Sequence, residues 1–252
     1  MPDTLNSAAT KSAARSHPDQ SRPIAAAVFL ERALLFTFVA HGLGMLSLLA
    51  FLLPGIPGGS NHDSAARIAY VAANPWLWRV GWLPWQITAL SDILLAIALV
   101  RTPWIPRPPA IITLILTCVA ILPDQIGQAV WITRGVDLAQ DAIRTHDPAA
   151  YLAFESIIYK AVSAWAALLY TMGAVGWTCC FVAAGTWNRR LTAISALAWP
   201  VFLCASIGPL LPRGLQPSAA LVGMGNALGF LLLEWWYLEV LGLVLRRSRP
   251  AK

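Results

Sequence analysis

The chain has 252 residues, of which 58% are hydrophobic and only 12% are charged. Soluble domains carry about 25% charged residues, so this composition excludes an ordinary water-soluble domain. The net charge is +6, from 15 arginines and three lysines against 12 acidic residues. In so apolar a chain, a basic excess sets the orientation of membrane helices rather than binding nucleic acid. We therefore expect a lipid bilayer, and no nucleic acid, as a partner.

The two ends of the chain are polar. Residues 1–23 are rich in Ser, Ala and polar side chains, which predicts a disordered cytoplasmic tail. A cleaved signal peptide is the alternative, but its apolar run spans only about 7–15 residues, and the run that follows here is longer. Residues 24–246 are predicted to form one transmembrane domain, followed by a short basic tail at 247–252.

Six apolar stretches reach the length of about 20 residues that a helix needs to cross hydrocarbon. They are predicted at residues 33–53, 80–100, 110–131, 161–187, 191–211 and 219–245. These runs lack the period-two alternation of membrane barrel strands. The sequence therefore predicts an all-α, polytopic transmembrane bundle of six spans.

The basic residues predict how the bundle is oriented. With six spans, both termini share one side with the second and fourth loops. That side carries twelve Lys and Arg residues, and the other side carries six. Because Lys and Arg concentrate in cytoplasmic loops, we expect both termini in the cytoplasm and the protein in the plasma membrane. Arginine outnumbers lysine five to one, which favours a bacterial source with a high-GC genome.

The predicted outer loops contain two short helical stretches. Asp63 or Ser64 is positioned to cap a helix that runs to Ala73, and the Asn74-Pro75 pair would end it. Residues 136–145 are predicted to form a second short helix on the outer surface.

Most of the twelve tryptophans lie near the ends of predicted spans. Amphipathic indoles favour the headgroup level of a membrane. Trp76, Trp78, Trp82, Trp85 and Trp131 are therefore predicted to form an outer interfacial belt. An aromatic cage around a ligand is the alternative.

Polar side chains within or beside the spans are the candidates for a binding site. An ionisable group in the middle of a span costs about 2.5–3.5 kcal/mol and indicates function by default. We estimate the depth of each residue along its span at about 1.5 Å per residue. These depths place some of the groups at the floor and others at the mouth of one outward-facing polar cavity. The predicted floor comprises His41, Asp92 and Glu234. The predicted mouth comprises Asp124, Gln128, Glu155 and Lys160, and Gln125 is adjacent to Asp124.

Each of these residues also has a structural interpretation. Polar side chains hold membrane bundles together through interhelical hydrogen bonds worth about 0.6 kcal/mol each. We favour that role for any single residue and a functional role for the set. Gly225 and Gly229 have the G-x-x-x-G spacing of a dimer face, but close packing within the bundle is the favoured interpretation.

Three functions are compatible with this pattern. The first is binding or transport of a small solute through the polar cavity, with Asp92 and Asp124 as the carboxylates that change protonation. The second is a non-catalytic accessory or assembly subunit. The third is a membrane-embedded enzyme acting on a lipid or isoprenoid, with Asp92, Asp124 or His41 as acid or base. The chain contains no nucleotide-binding, zinc-protease or nucleophile-elbow motif, and no cofactor or metal is expected.

Overall fold

A computed structural model of the chain describes residues 21–248, with side chains from residue 26 to residue 247. The predicted disordered tail at 1–23 lies outside the described residues, except for its last three, which belong to the first helix. The end of the predicted basic tail at 249–252 also lies outside them.

Nine α-helices follow one another in the described residues, joined or extended by short π-helical and 3-10 segments. The α-helices are α1 (Ser21–Ser47), α2 (Ser64–Ala73), α3 (Pro75–Arg101), α4 (Arg107–Val130), α5 (Val136–Thr145), α6 (Ala149–Lys160), α7 (Ala167–Ala183), α8 (Arg189–Ile207) and α9 (Ala219–Ser248). Three π-helical segments continue α1, α4 and α6: Leu48–Leu52, Trp131–Gly135 and Ala161–Ala166.

Six of the helical stretches are long and apolar enough to cross a membrane, which confirms the predicted all-α bundle of six spans. The observed stretches are Ala26–Leu52, Pro75–Arg101, Arg107–Thr145, Ala149–Ala183, Arg189–Leu210 and Ala219–Arg247. Several of these stretches begin earlier or end later than the apolar runs of the sequence. Capping residues and amphipathic turns extend these helices beyond their apolar segments.

The six spans form a closed ring in chain order. The helix α3 packs between α1 and α4, α7 packs between α4 and α8, and α9 closes the ring by packing against both α8 and α1. The outward faces of the ring are apolar, with exposed side chains such as Leu46, Ile112 and Leu231. A surface of this kind is stable in hydrocarbon rather than in water.

Two separate clusters of buried side chains close the ring at its two ends. At the end that carries the basic residues of the 101–107 and 183–190 connections, a cluster built around Trp177, Phe181 and Trp236 fills the interior. At the opposite end, α2 and α5 pack on each other and contribute to a second cluster with Trp78 and Trp131. We call these two ends the basic end and the cap end.

The two short helices of the cap end have the bounds predicted from the sequence. The helix α2 begins after Asp63, whose carboxylate accepts a hydrogen bond from the Ala66 amide at 3.3 Å, and it ends at Asn74. The helix α5 follows α4 through a π-helical segment and ends at His146, which has a left-handed φ of 57°.

The predicted outer belt of tryptophans is wrong for four of its five members, of which Trp85 lines the interior cavity described below. Trp78 and Trp131 are fully buried and Trp82 nearly so, and their rings contact one another with centroids 5.3–5.7 Å apart. Trp76 is 73% exposed and does lie on the surface. The indoles therefore pack inside the cap end, because α2, α5 and α6 cover them.

Two glycines of α9 pack closely against α8 of the same chain. A Cβ at Gly229 would lie 2.8 Å from the ring of Phe202 in α8, and one at Gly225 would lie 3.4 Å from Ala205. The G-x-x-x-G spacing thus serves the close approach of α8 and α9 within the bundle.

Candidate functional site

A cavity of about 280 Å³ occupies the inside of the ring, between the two buried clusters. Side chains from all six spans line it. It extends from the connection that follows α1, at Ile56 and Gly58, down to Asp92 and Trp177 in the middle of the bundle. Most of its lining is apolar or aromatic, so the few polar groups that reach it determine its chemistry.

Asp124 of α4 is the best-satisfied polar group of the cavity. The side chain is buried, and three donors surround its carboxylate. Gln128 Nε2 donates to Oδ1 at 2.7 Å, and Gln125 Nε2 and the Tyr170 hydroxyl donate to Oδ2 at 3.2 Å each. Gln128 lies one helical turn beyond Asp124 and shares its face of α4. This arrangement holds the carboxylate in a fixed position.

The network continues from Asp124 to a second span. Gln86 of α3 donates through Nε2 to Gln128 Oε1 at 2.7 Å, and Gln128 in turn donates to Asp124. Tyr170 brings a donor from α7. Three spans therefore share one hydrogen-bonded network around a single carboxylate, which makes the arrangement of α3, α4 and α7 specific.

Asp92 of α3 has a very different environment. Its side chain is buried and lines the cavity, yet its Oδ1 accepts no hydrogen bond from the described part of the chain. The nearest ionisable nitrogen is His41 Nε2, at 3.9 Å, which is beyond hydrogen-bond distance. A buried carboxylate oxygen without a donor destabilises the folded state, because its desolvation is not compensated. This oxygen can therefore accept a hydrogen bond from a further group.

His41 of α1 is oriented by its other ring nitrogen. Nδ1 lies 3.0 Å from the carbonyl oxygen of Thr37, and since a carbonyl only accepts, Nδ1 carries the proton of this hydrogen bond. Nε2 is therefore left to face Asp92. The His41 ring also contacts the rings of Phe230 and Tyr237, at centroid distances of 6.0 and 5.4 Å.

Aromatic rings form much of the cavity wall. Trp85 lies two turns before Asp92 on α3 and packs edge-to-face on Phe230 of α9, with centroids 5.3 Å apart. Phe202 of α8 packs on Phe230 in the same manner at 5.3 Å. The indole nitrogens of Trp85 and Trp177 are buried and have no partner within residues 26–247. Ring surfaces rather than indole N–H groups therefore line the open space.

The charges that line the cavity are all acidic. Asp92 and Asp124 both contribute, whereas no lysine or arginine among the described residues does so, and His41 is the single other ionisable group apart from tyrosines. No group of three or more His, Cys, Asp or Glu side chains within residues 26–247 is arranged to hold a metal ion. The cavity is therefore an aromatic space with two carboxyl groups.

Glu155 lies outside the cavity and belongs to an ion pair of the cap end. Arg67 of α2 donates through Nη2 to Glu155 Oε2 at 2.7 Å and through Nε to Oε1 at 3.2 Å. Partial burial opposes the charge of Arg67, but hydrogen bonding and attraction from Glu155 outweigh it and raise the pKa of the guanidinium. The pair joins α2 to α6 and so fixes the helices that cover the cap end.

Two further sequence candidates also lie outside the cavity lining. Lys160 is exposed at the end of α6. Glu234 of α9 lies against α1, with Oε1 4.0 Å from the position that a Cβ would take at Gly42, and neither of its oxygens has a hydrogen-bond partner in the described residues. Of the eight candidates, the cavity thus brings together His41, Asp92, Asp124 and Gln128, and Gln125 contacts it through Asp124.

Sequence reasoning overlooked Tyr170, Gln86 and the aromatic wall. Tyr170 lies in an uncharged apolar run, and its hydroxyl was the sole local sign that this face of α7 meets a polar group. Gln86 sits among tryptophans near the predicted end of a span. Neither residue has a sequence neighbour that indicates Asp124 as its partner, because the contacts join residues 42 to 46 positions apart.

The three π-helical segments all contribute to the cavity lining. Leu48 and Leu49 come from the first, Trp131 from the second, and Val162 and Ser163 from the third. A π-helical turn widens the helix locally, and such turns are frequent at functional sites. Their convergence on one space singles out this cavity as the candidate site.

Comparison with protein-family models, curated protein sequences and solved structures gives no match for this chain.

Proposed function

We propose that this multi-pass membrane protein binds a small solute in the cavity of its helical ring and moves the solute across the membrane. The observation that carries the proposal is Asp92, a buried carboxylate that lines a cavity of about 280 Å³ and whose Oδ1 has no hydrogen-bond donor among residues 26–247. Buried polar groups are normally paired. An unpaired carboxylate beside an open space is therefore best explained by a partner that comes and goes.

The two carboxylates have different tasks in this proposal. Asp124 accepts hydrogen bonds from three donors, and its network, which reaches α3 through Gln128 and Gln86, keeps α3, α4 and α7 in register. Asp92, with His41 Nε2 at 3.9 Å, contacts the solute. Asp92 and His41 are also the groups able to exchange protons with the solute, so that movement of the solute can be coupled to movement of protons.

The direction of access follows from the charges at the two ends. Arg101, Arg107, Arg189, Arg190 and Arg246 lie at the basic end. We propose that this end faces the cytoplasm of a bacterial cell and that the protein resides in the plasma membrane. The cavity, which extends to Gly58 at the cap end, then receives its solute from outside the cell.

Water access to the cavity tests the proposal without knowledge of the solute. Ser163 lines the cavity on the third π-helical segment, and Cys118 is exposed on the membrane-facing side of α4. The four native cysteines are first replaced by serine, and variants carrying either Ser163→Cys or the native Cys118 alone are reconstituted into nanodiscs. Labelling by iodoacetamide is then followed by mass spectrometry.

The cavity cysteine is expected to react at least about tenfold faster than Cys118, because a thiol reacts as the thiolate, which forms in water and not in hydrocarbon. Equal labelling rates of the two cysteines would refute a hydrated binding cavity.

Solute binding is measured on the same preparation. A panel of one amine, one amino acid, one monocarboxylate, one sugar and one alcohol is tested for an increase in unfolding temperature. A solute at 100 times its Kd stabilises the folded state by about 2.7 kcal/mol. A stabilising solute should lose its effect in Asp92→Asn and should accumulate in proteoliposomes made with the unchanged protein. Retention of the effect in Asp92→Asn would contradict the proposed site.

A further inference from the structure

We propose that the solute is a small organic cation, an ammonium group carrying a compact apolar body. This inference rests on the proposed binding function and names the chemical class of its ligand. The ammonium group meets Asp92, and the apolar body lies against the aromatic wall formed by Trp85, Phe202 and Phe230.

The balance of charge in the cavity is the first argument. Asp92 and Asp124 line it, and no lysine or arginine among the described residues does so. A buried negative charge needs a positive partner or hydrogen-bond donors, since its removal from water is otherwise very costly. An anionic solute would lie beside two carboxyl groups whose charged form repels it, whereas a cation stabilises the charged form of Asp92.

The difference between the two carboxylates locates the cation. Asp124 already accepts from Gln125, Gln128 and Tyr170 at 2.7–3.2 Å, so its demand for donors is met by the chain itself. Asp92 Oδ1 accepts no hydrogen bond from the described residues. An ammonium group has only donors to offer, and Asp92 is the place in this cavity where such donors are lacking.

The aromatic wall suits the same ligand. Trp85 and Phe230 pack edge-to-face with centroids 5.3 Å apart, and Phe202 packs on Phe230 at the same distance. Faces of aromatic rings attract cations, and the attraction strengthens when water is excluded. These rings also bury the apolar part of the ligand. A strongly hydrated inorganic cation has no apolar part for these rings to bury, so it would gain no binding free energy from that contact.

The size of the space sets an upper limit on the ligand. The volume of the cavity is about 280 Å³. This is at or just below the lower end of the range of small-molecule sites, about 300–1,000 Å³. A ligand of this size has one ring or one short chain, which excludes a whole phospholipid as the occupant.

Three probes of nearly equal shape separate the possible ligand classes. Benzylammonium, benzyl alcohol and benzoate are cationic, neutral and anionic, respectively, on the same ring. Each is tested for its ability to slow iodoacetamide labelling of the Ser163→Cys variant in nanodiscs. The same measurement is repeated with Asp92→Asn and with Glu239→Gln in that background. Glu239 lies near the basic end, 3.6 Å from Arg190, and does not line the cavity.

We expect benzylammonium to protect the cysteine at concentrations at least about tenfold lower than benzyl alcohol, and benzoate not to protect it, because a buried ion pair is lost in the neutral probe. Asp92→Asn should remove this preference, and Glu239→Gln should leave it unchanged.

Equal or stronger protection by benzyl alcohol or benzoate would overturn the cation inference and leave solute binding in the cavity intact. An unchanged preference in Asp92→Asn would overturn the assignment of the ammonium to that carboxylate. Absence of protection by all three probes would also overturn the inference. The proposed binding function is tested separately, and it fails if the Ser163→Cys variant labels no faster than Cys118.

Discussion

Replacement of Arg67 by methionine tests how the cap end of the bundle is held together. Arg67 makes two hydrogen bonds to Glu155, at 2.7 and 3.2 Å, and the side chain of Glu155 is 6% exposed. The variant keeps much of the length of the side chain and removes both donors. It therefore leaves a buried carboxylate without a partner.

The expected loss can be derived from this geometry. Removal of one partner of a buried ion pair costs about 3–5 kcal/mol. The Arg67 side chain is 11% exposed at the protein surface, so water can partly replace it and we expect about 3 kcal/mol. In a protein of this size, 1 kcal/mol corresponds to about 2–4 °C in unfolding temperature. The predicted decrease is therefore about 6–12 °C.

The assay is thermal unfolding of purified protein in nanodiscs, with the variants Arg67→Met, Glu155→Gln and the double replacement. In a double-mutant cycle, the summed losses of unfolding free energy of the two single variants should exceed the loss of the double variant, because each single change leaves the other partner unpaired. Arg144→Met is the matched control, since Arg144 forms an exposed pair with Asp141 at 2.8 Å. That change should cost less than about 1 kcal/mol. Additive losses for Arg67 and Glu155, or an equal loss in the control, would refute the reasoning.

Three further predictions concern helix packing, capping and the network of the cavity. Gly81→Ala should destabilise the protein by about 1–3 kcal/mol in thermal unfolding, because its Cβ would lie 2.7 Å from a leucine of the first π-helical segment. Gly242→Ala, whose Cβ would have no atom of the described residues within 4 Å, should instead stabilise the protein by about 0.5–1 kcal/mol; the opposite order of the two effects would contradict the observed packing. Asn188→Ala removes the cap at the start of α8 and should lower stability by about 1 kcal/mol, whereas Asn188→Asp should retain it. Tyr170→Phe removes one hydrogen-bond donor to Asp124 and should lower the free energy of unfolding by about 1.5 kcal/mol. The affinity for a stabilising solute should stay unchanged. A large loss of affinity would show that the Tyr170 hydroxyl contacts the solute.

The helical bundle was predictable from the sequence because each span is a local feature. Length and hydrophobicity decide whether a segment crosses hydrocarbon, and both can be counted along the chain. The short helix α2 was predictable for the same reason, since Asp63 and the Asn74-Pro75 pair mark its two ends within thirteen residues.

The interior of the ring was only partly predictable. Depth along the helix placed His41 and Asp92 at one level, and His41 Nε2 lies 3.9 Å from Asp92 Oδ1. Depth says nothing about rotation around the helix axis, however. Glu234 lies at a similar depth and yet does not line the cavity, because its side of α9 packs against Gly42 of α1.

Partners from distant parts of the chain were the features that no local pattern could indicate. Glu155 pairs with Arg67, which is 88 positions away. The burial of Trp78 and Trp131 depends on α2 and α5 folding over them. A tryptophan near the end of a span has the same local sequence context whether lipid headgroups or another helix covers it, so the interfacial belt was the natural prediction for both residues.

The most direct test of the account is a density map of the protein in a lipid nanodisc at side-chain resolution, recorded with and without benzylammonium. The account predicts a lipid belt around the six-span ring and an open space that reaches Asp92 in the unliganded map. With benzylammonium present, new density should lie beside Asp92 and against the ring of Phe230. A space filled by side chains of the protein, or ligand density confined to the outer surface of the ring, would contradict it.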